Sequence, residues 1–296
     1  MIVRDRPTFW ELIGMWRLSI LRRIAPQIVS ILLWSCLVTW VDSRYAVVLR
    51  GWTVAPFTLL GVALSIFLGF RNSACYDRWW EARRQLGGMI GEMRSFARIC
   101  VSLPKIHQTD LEALVRDAIT YTYELMYVLR KAPRPSPLSA EIPNTRNVPD
   151  HILRRLGLRV AAQLEKGVIG EPVYKLLEER LTAFTDFQVA CERIRSTPTP
   201  FTYTLLIHRT AYAYCFLLPF GLAGTMGWAT PLFTGLVAYA FFGLDALGDE
   251  LEDPFGDHVN ALPLLALART IEINLLEAIG ADEVPEFLQP IDSVLT

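Results

Sequence analysis

Carboxylates are concentrated at the end of the last long apolar run, where they could bind a cation. The acidic residues of this stretch are Asp245, Asp249, Glu250, Glu252, Asp253 and Asp257. Hard cations such as Ca²⁺ bind several converging carboxylate oxygens, so this stretch is the best candidate for an ion-binding site. Its principal members are Asp249, Glu250, Asp253 and Asp257. The alternative interpretation, which is the commoner one for such a run, is a helix end whose charges are solvated.

The other residue types that support catalysis or metal binding are scattered. None of the five cysteines forms a C-x-x-C pair, and the four histidines show no metal-ligand spacing. The sequence contains no glycine-rich phosphate loop, no G-x-S-x-G and no H-E-x-x-H motif. We therefore expect reduced, mostly buried thiols, no cofactor, no metal and no enzymatic activity. The formal net charge of −1 gives no reason to expect a nucleic-acid partner.

The composition predicts a membrane protein with a sizeable polar region. Hydrophobic residues make up 52% of the 296 residues and the mean hydropathy is +0.30, yet 20% of the residues are charged. The candidates for membrane helices are the apolar runs 24–40, 55–70, 201–222 and 228–247. The second run is short for a crossing, which needs roughly 20 residues, so we expect Trp52 and Arg71 to anchor its ends at the interfaces.

Changes in composition divide the chain into successive parts. Residues 1–23 form an amphipathic segment suited to the membrane surface, and 24–70 carry the first two membrane helices. Residues 71–200 are predicted to form a cytosolic helical region with a proline-rich loop at 132–149. Residues 201–250 carry the third and fourth membrane helices, and 251–296 form a cytosolic tail. Basic residues flank the first two runs, so the positive-inside rule predicts a multi-pass inner-membrane protein with both termini in the cytoplasm.

The second apolar run carries two stripes with a spacing of four residues. Val62, Ile66 and Phe70 form a bulky stripe on one side of the predicted helix. A stripe of small residues, offset by about 100°, consists of Gly61, Ser65 and Gly69. Small residues at this spacing allow membrane helices to pack closely. The bulky stripe could face a pore, although on spacing alone such stripes are more often core or lipid-facing residues.

Several motifs in this chain resemble those of the bestrophins, in particular the bacterial members. They are FLGFRN at 67–72, the triplet Arg78-Trp79-Trp80, STPTPFTYTL at 196–205 and DELEDPFG at 249–256. The motifs occur in the family's order, and the resemblance covers nearly the whole chain. It implies an all-α membrane protein with four transmembrane helices per subunit and a cytosolic helical bundle. It also implies that the subunits assemble as a homopentamer around a central pore that conducts ions.

The resemblance also assigns roles to particular residues. It implies that Val62, Ile66 and Phe70 line a narrow hydrophobic neck, with the small stripe packing helices around the pore. It suggests Val173 for a second, cytosolic constriction. Calcium-activated animal bestrophins have a run of acidic residues after the same Pro-Phe-Gly turn, whereas here Asp257 is followed by His258-Val259-Asn260-Ala261. We therefore expect calcium to have little effect on opening.

The function predicted from the sequence is passive flow of monovalent ions, with a preference for cations. The resemblance implies this preference, because the chain is closer to the bacterial bestrophins, which are associated with monovalent cations, than to the eukaryotic anion channels. An anion channel of the same architecture is the first alternative, and it would be favoured if Arg71 pointed into the pore. That arginine could equally pair with Asp77 or Glu81 on its own helix, or point away from the axis. Asp77 and Glu81 could favour cations by the same reasoning. A membrane-anchored scaffold or interaction protein without conduction is the alternative of another class.

Overall fold

The described part of the chain in the computed structural model is α-helical. It comprises residues 1–3, 19–45, 53–133 and 145–296. Its helices are α1 (Leu21–Arg44), α2 (Val54–Val101), α3 (Gln108–Arg130), α4 (Val148–Glu165), α5 (Glu171–Ser196), α6 (Phe201–Met226), α7 (Thr230–Glu252) and α8 (Leu264–Ala278). Within these residues, extended pairing is limited to isolated bridges such as that between Ile2 and Val294. Most of the predicted amphipathic segment, Trp52 and most of the proline-rich loop lie outside the described residues.

Helix boundaries follow from local chemistry. The side chain of Asn147 accepts a hydrogen bond from the backbone nitrogen of Asp150 and caps the start of α4. Prolines occupy the first turn of α4, α5 and α7, where a missing backbone donor has no cost. Gly227 ends α6 with a φ of 52°, a conformation that suits glycine. The third and fourth apolar runs are therefore separate helices joined by the 3-10 turn Gly227–Ala229.

One of two compact units contains the apolar helices. It comprises the described residues 19–45, 53–79 and 198–253, and we call it the membrane unit. Three helical stretches of the described residues are long and apolar enough to cross a membrane, and the third, Phe201–Glu252, contains both α6 and α7. These stretches contain the four predicted membrane helices. Their shared core includes Ile24, Leu64, Leu68, Cys215 and Ala238, all of which are buried.

The other compact unit is built from amphipathic helices. It comprises the described residues 1–3, 80–133, 145–197 and 254–296. In its core the Tyr121 hydroxyl donates a hydrogen bond of 2.8 Å to the Phe184 carbonyl oxygen, and the Phe184 ring packs edge-on against Phe96. Burial raises the pKa of the Cys191 thiol to about 12, so this cysteine stays protonated and unreactive at neutral pH. The backbone nitrogen of Val3 donates to the carbonyl oxygen of Ser293, which joins the described ends of the chain.

Candidate functional site

Two opposite faces of α2 differ in what they contact within the membrane unit. One face is buried against the other helices of the unit and includes Leu64 and Leu68, which are 2% and 0% exposed. On the opposite side lie Val62, Ile66 and Phe70, which are 55%, 51% and 65% exposed. Their bulky stripe is therefore not part of the subunit's own core. It is available to a lumen, to lipid or to another subunit.

The small-residue stripe is divided between two environments. A Cβ atom at Gly61 would lie 2.6 Å from the hydroxyl oxygen of Tyr214 on α6, so this glycine provides space inside the subunit. A Cβ atom at Gly69 would contact nothing within 4 Å. Ser65 is also exposed, and its hydroxyl donates to the Gly61 carbonyl oxygen. Ser65 and Gly69 can thus face a neighbouring helix, whereas Gly61 packs within its own chain.

A buried arginine lies on the side of α2 that faces the subunit core. The Arg71 side chain is 0% exposed, and its guanidinium donates to Asp245 Oδ1 and Asp249 Oδ1 of α7, both at 2.7 Å. It also donates to the Asp245 carbonyl oxygen at 3.1 Å. Glu252 lies 3.6 Å away as a further ionic partner. Asp245 and Asp249, rather than Asp77 or Glu81, therefore neutralise this charge, which points away from the bulky stripe.

The motifs that carried the resemblance meet around this arginine. The Glu252 carboxylate accepts hydrogen bonds from the backbone nitrogen of Thr199, at 3.0 Å, and from its hydroxyl, at 2.5 Å. The Glu252 carbonyl oxygen accepts a hydrogen bond from Arg78 Nε at 2.6 Å. Glu252 thus links α7 both to α2 and to the Thr-Pro turn before α6. We call the group formed by Arg71, Asp245, Asp249 and Glu252 the buried charge cluster.

Close approach of α2 and α7 at this cluster requires a glycine. A Cβ atom at Gly248 would lie 2.6 Å from Asn72 Oδ1 and 3.0 Å from Arg71 Nη1. Any side chain at this position would collide with the Asn72 amide and the Arg71 guanidinium, and would therefore disturb the ion pairs that Arg71 forms. No local sequence pattern distinguishes Gly248, because its role depends on the residues that face it on α2.

The cluster extends on both sides through groups that are partly exposed. His208 of α6 lies 2.6 Å from Asp245 Oδ2 through its Nδ1 atom. Arg23 of α1 donates to Asp249 Oδ2 at 2.9 Å and lies 3.6 Å from Glu250 Oε1. Polar residues inside membrane helices are expected to face protein partners in this way. The cluster therefore connects all four helices of the membrane unit.

The predicted acidic ion-binding site consists of residues with different surroundings. Asp249 and Glu250 lie next to arginines, so cationic side chains already balance their charge. Asp253 is exposed at the end of α7, and Asp257 is an exposed residue of the other compact unit. Within the described residues no group of three or more His, Cys, Asp or Glu side chains is arranged to hold a metal ion. Ion binding at these positions stays a prediction.

Val173 lies in the first turn of α5, where its backbone nitrogen donates to the Gly170 carbonyl oxygen at 3.1 Å. Its side chain is half-buried. The assignment of this valine to a second constriction stays a prediction.

Comparison with known proteins identifies the family. The model of the bacterial and fungal bestrophins, described as "Bacterial/Fungal Bestrophin protein", matches residues 1–277. The chain belongs to the bestrophin family. It is 44% identical over 299 residues to the "Voltage-dependent anion channel-forming protein mll4386" of Mesorhizobium japonicum, covering 99% of this chain and 96% of the relative. It is 36% identical to the "Voltage-dependent anion channel-forming protein YneE" of Escherichia coli K12, covering 98% of both chains.

A solved structure has the same fold. The crystal structure of a bacterial bestrophin homologue from Klebsiella pneumoniae superposes with a TM-score of 0.83 at 34% identity, covering 88% of this chain and 100% of the other. The predicted family and the all-α membrane fold are therefore confirmed. This bestrophin is a membrane protein of a family of ion channels, and it is not an enzyme.

The buried charge cluster leads to a first prediction. Replacing Arg71 by methionine keeps an unbranched apolar side chain but removes the guanidinium, which leaves Asp245 buried without this cationic partner. Breaking a buried ion pair in this way costs about 3–5 kcal/mol, so R71M should strongly lower the thermal unfolding temperature of the protein in detergent. Arg84→Met is the matched control, because Arg84 is 68% exposed and should tolerate the change. Equal unfolding temperatures for the two variants would show that the cluster does not stabilise the protein.

Proposed function

We propose that this bestrophin forms a homopentameric channel in which α2 lines a central pore and monovalent ions flow passively. The observation that carries this proposal is the bulky stripe of α2. Val62, Ile66 and Phe70 are more than half exposed, although they lie directly opposite the face that the subunit buries. A ring of subunits would bring these stripes together around one axis. The resemblance of this stripe to the hydrophobic neck of bestrophins supports the same arrangement.

An apolar ring controls ion flow through hydration. Ions enter an uncharged constriction only if they keep enough of their water, so a narrow ring of valine, isoleucine and phenylalanine closes by dewetting. The neighbouring Ser65 and Gly69 are small and exposed, which leaves room for an adjacent α2 helix. This division of roles assigns the bulky residues to the lumen and the small residues to contacts between subunits. Gly61 instead accommodates Tyr214 of its own chain.

The wider arrangement follows from the same proposal. We place the membrane unit in the bacterial inner membrane and the other unit, with both termini, in the cytoplasm. The resemblance suggests Val173, at the start of α5, for the second constriction. The neck has no carboxylate that could bind calcium, and the acidic run of the calcium-activated members is missing after Gly256. Calcium should therefore have little effect on opening.

The number of subunits is directly measurable. The protein released from detergent micelles should give a native mass spectrum whose main species has five times the mass of the 33.5 kDa chain. Five copies of α2 around one axis would cover the apolar stripe that the single chain exposes. A stable monomer or dimer as the main species would contradict the proposed pore.

Conduction through the neck gives a further prediction. Ile66→Ala removes most of the side chain at the middle position of the stripe, which should widen the ring, ease its hydration and increase the current in planar bilayers. Leu232→Ala is the matched control, because Leu232 is a 72% exposed residue of α7 that lies outside the stripe. Assembly should be unchanged in both variants.

Two results would contradict the neck assignment. The first is an unchanged conductance and open probability in the alanine variants of Val62, Ile66 and Phe70. The second is an equal effect of Leu232→Ala. If the wild-type protein assembles but carries no current under any condition, the chain is instead a scaffold without conduction.

The names of the relatives support anions as the permeating ions. The relatives from Mesorhizobium japonicum and Escherichia coli carry names that describe anion channels, and this favours anions over the cations that the sequence analysis preferred. A specific observation favours monovalent cations as the second candidate. Arg71 points into the subunit core with three acidic neighbours, so it brings no positive charge to the neck.

Reversal potentials under a potassium chloride gradient distinguish the two candidates. If the channel conducts anions, the reversal potential of the wild-type channel will move towards the chloride equilibrium potential. A reversal potential near the potassium equilibrium potential would instead establish the cation channel. The same recordings in sodium chloride show whether the channel distinguishes between the two alkali cations.

A further inference from the structure

Asp77 extends the face of α2 that carries the bulky stripe. It follows Phe70 by two helical turns, which is about 10 Å along the axis, and it lies within about 20° of Phe70 around the helix. Asp77 is exposed, as are the stripe residues. Within the described residues no group forms a hydrogen bond or ion pair with its carboxylate. No side chain of the described residues therefore balances its negative charge directly.

The other charges nearby on α2 are engaged elsewhere. Arg71 lies about 140° around the helix from Ile66 and is buried in the charge cluster. Arg78 donates through Nε to the Glu252 carbonyl oxygen. The next charges near the stripe's face are Glu81 and Arg84, which lie one and two turns beyond Asp77, and they are bonded to each other. Asp77 is thus the first charge that an ion meets beyond Phe70 on this face.

We propose that Asp77 is a selectivity-determining residue of the pore, where a ring of its carboxylates enriches cations and repels anions next to the neck. This inference rests on the proposed function, because the ring exists only if α2 surrounds an axis. An uncharged neck discriminates weakly between ions of opposite sign, so the nearest fixed charge has the largest influence. Fixed charges beside a low-dielectric constriction raise the local concentration of counter-ions. Asp77 acts in this direction whichever ion the complete channel prefers.

The distance between Asp77 and the neck makes its influence on permeation depend on the salt concentration. The screening length is about 8 Å at 0.15 M ionic strength and about 30 Å at 0.01 M. The distance of about 10 Å between Asp77 and Phe70 along the helix falls between these values. The influence of Asp77 on permeation should therefore be strong at low salt and weaker at high salt. A role in helix packing would not produce this dependence.

The test compares reversal potentials of the full-length channel in sodium chloride gradients at low and at high salt. Asp77→Asn keeps the size of the side chain and should lower the cation-to-chloride permeability ratio by about threefold or more at low salt. Asp77→Lys should lower it further, and Asp77→Glu should retain the wild-type ratio. Asp292→Asn is the matched control, because it removes the same charge from an exposed position near the C-terminal end.

Several outcomes would overturn the inference. One is a conducting Asp77→Asn channel whose permeability ratio equals that of the wild-type channel at both salt concentrations. Another is an equal shift in Asp292→Asn. If Asp77→Asn and Asp77→Lys assemble as pentamers but carry no current, Asp77 is needed for conduction itself and is not a selectivity residue. A wild-type protein without current would instead overturn the proposed function.

Discussion

The buried guanidinium of Arg71 constrains how the membrane helices pack. A charge that is withdrawn from water is stable only with close partners of opposite sign, and here α7 supplies two carboxylates at 2.7 Å. These bonds require a defined axial position of α2 relative to α7, since a shift by one residue would separate the groups. Gly248 permits the necessary approach, and Glu252 extends the contact to the turn before α6. Packing of the apolar surfaces alone would not specify this alignment as strictly.

The same constraint gives α2 its two different faces. Because Arg71 is neutralised by its own subunit, the opposite face presents the apolar groups of Val62, Ile66 and Phe70 without an adjacent positive charge. The helix can then combine a structural role on one side with a proposed pore on the other. In this scheme the neck controls whether ions pass, and charges farther along the helix, beginning with Asp77, influence which ions do.

The residues that carry the resemblance to bestrophins have a physical explanation in this chain. Arg71 comes from the FLGFRN motif and Thr199 from STPTPFTYTL, and they contact Asp249 and Glu252 of DELEDPFG, respectively. Motifs that are far apart in the sequence thus belong to one network of hydrogen bonds and ion pairs. Such a network restricts the residue types at all of its positions together, because a missing partner leaves a buried polar group unsatisfied.

The helices and the family were predictable from the amino-acid sequence alone. The signals for them are local in the sequence: apolar runs, prolines at helix starts and a helical period that continues past Arg71. The structure contains the corresponding helices, including α2 from Val54 to Val101. Which side chains contact each other depends instead on how the helices pack. The sequence suggested Asp77 or Glu81 as partners of Arg71, but the arginine binds Asp245, which is 174 residues away. Likewise, Gly61 was expected to face a neighbouring subunit but makes room for Tyr214. Hydropathy and spacing show which side of a helix is apolar, but the opposing residue depends on how two helices pack, and that information is not local.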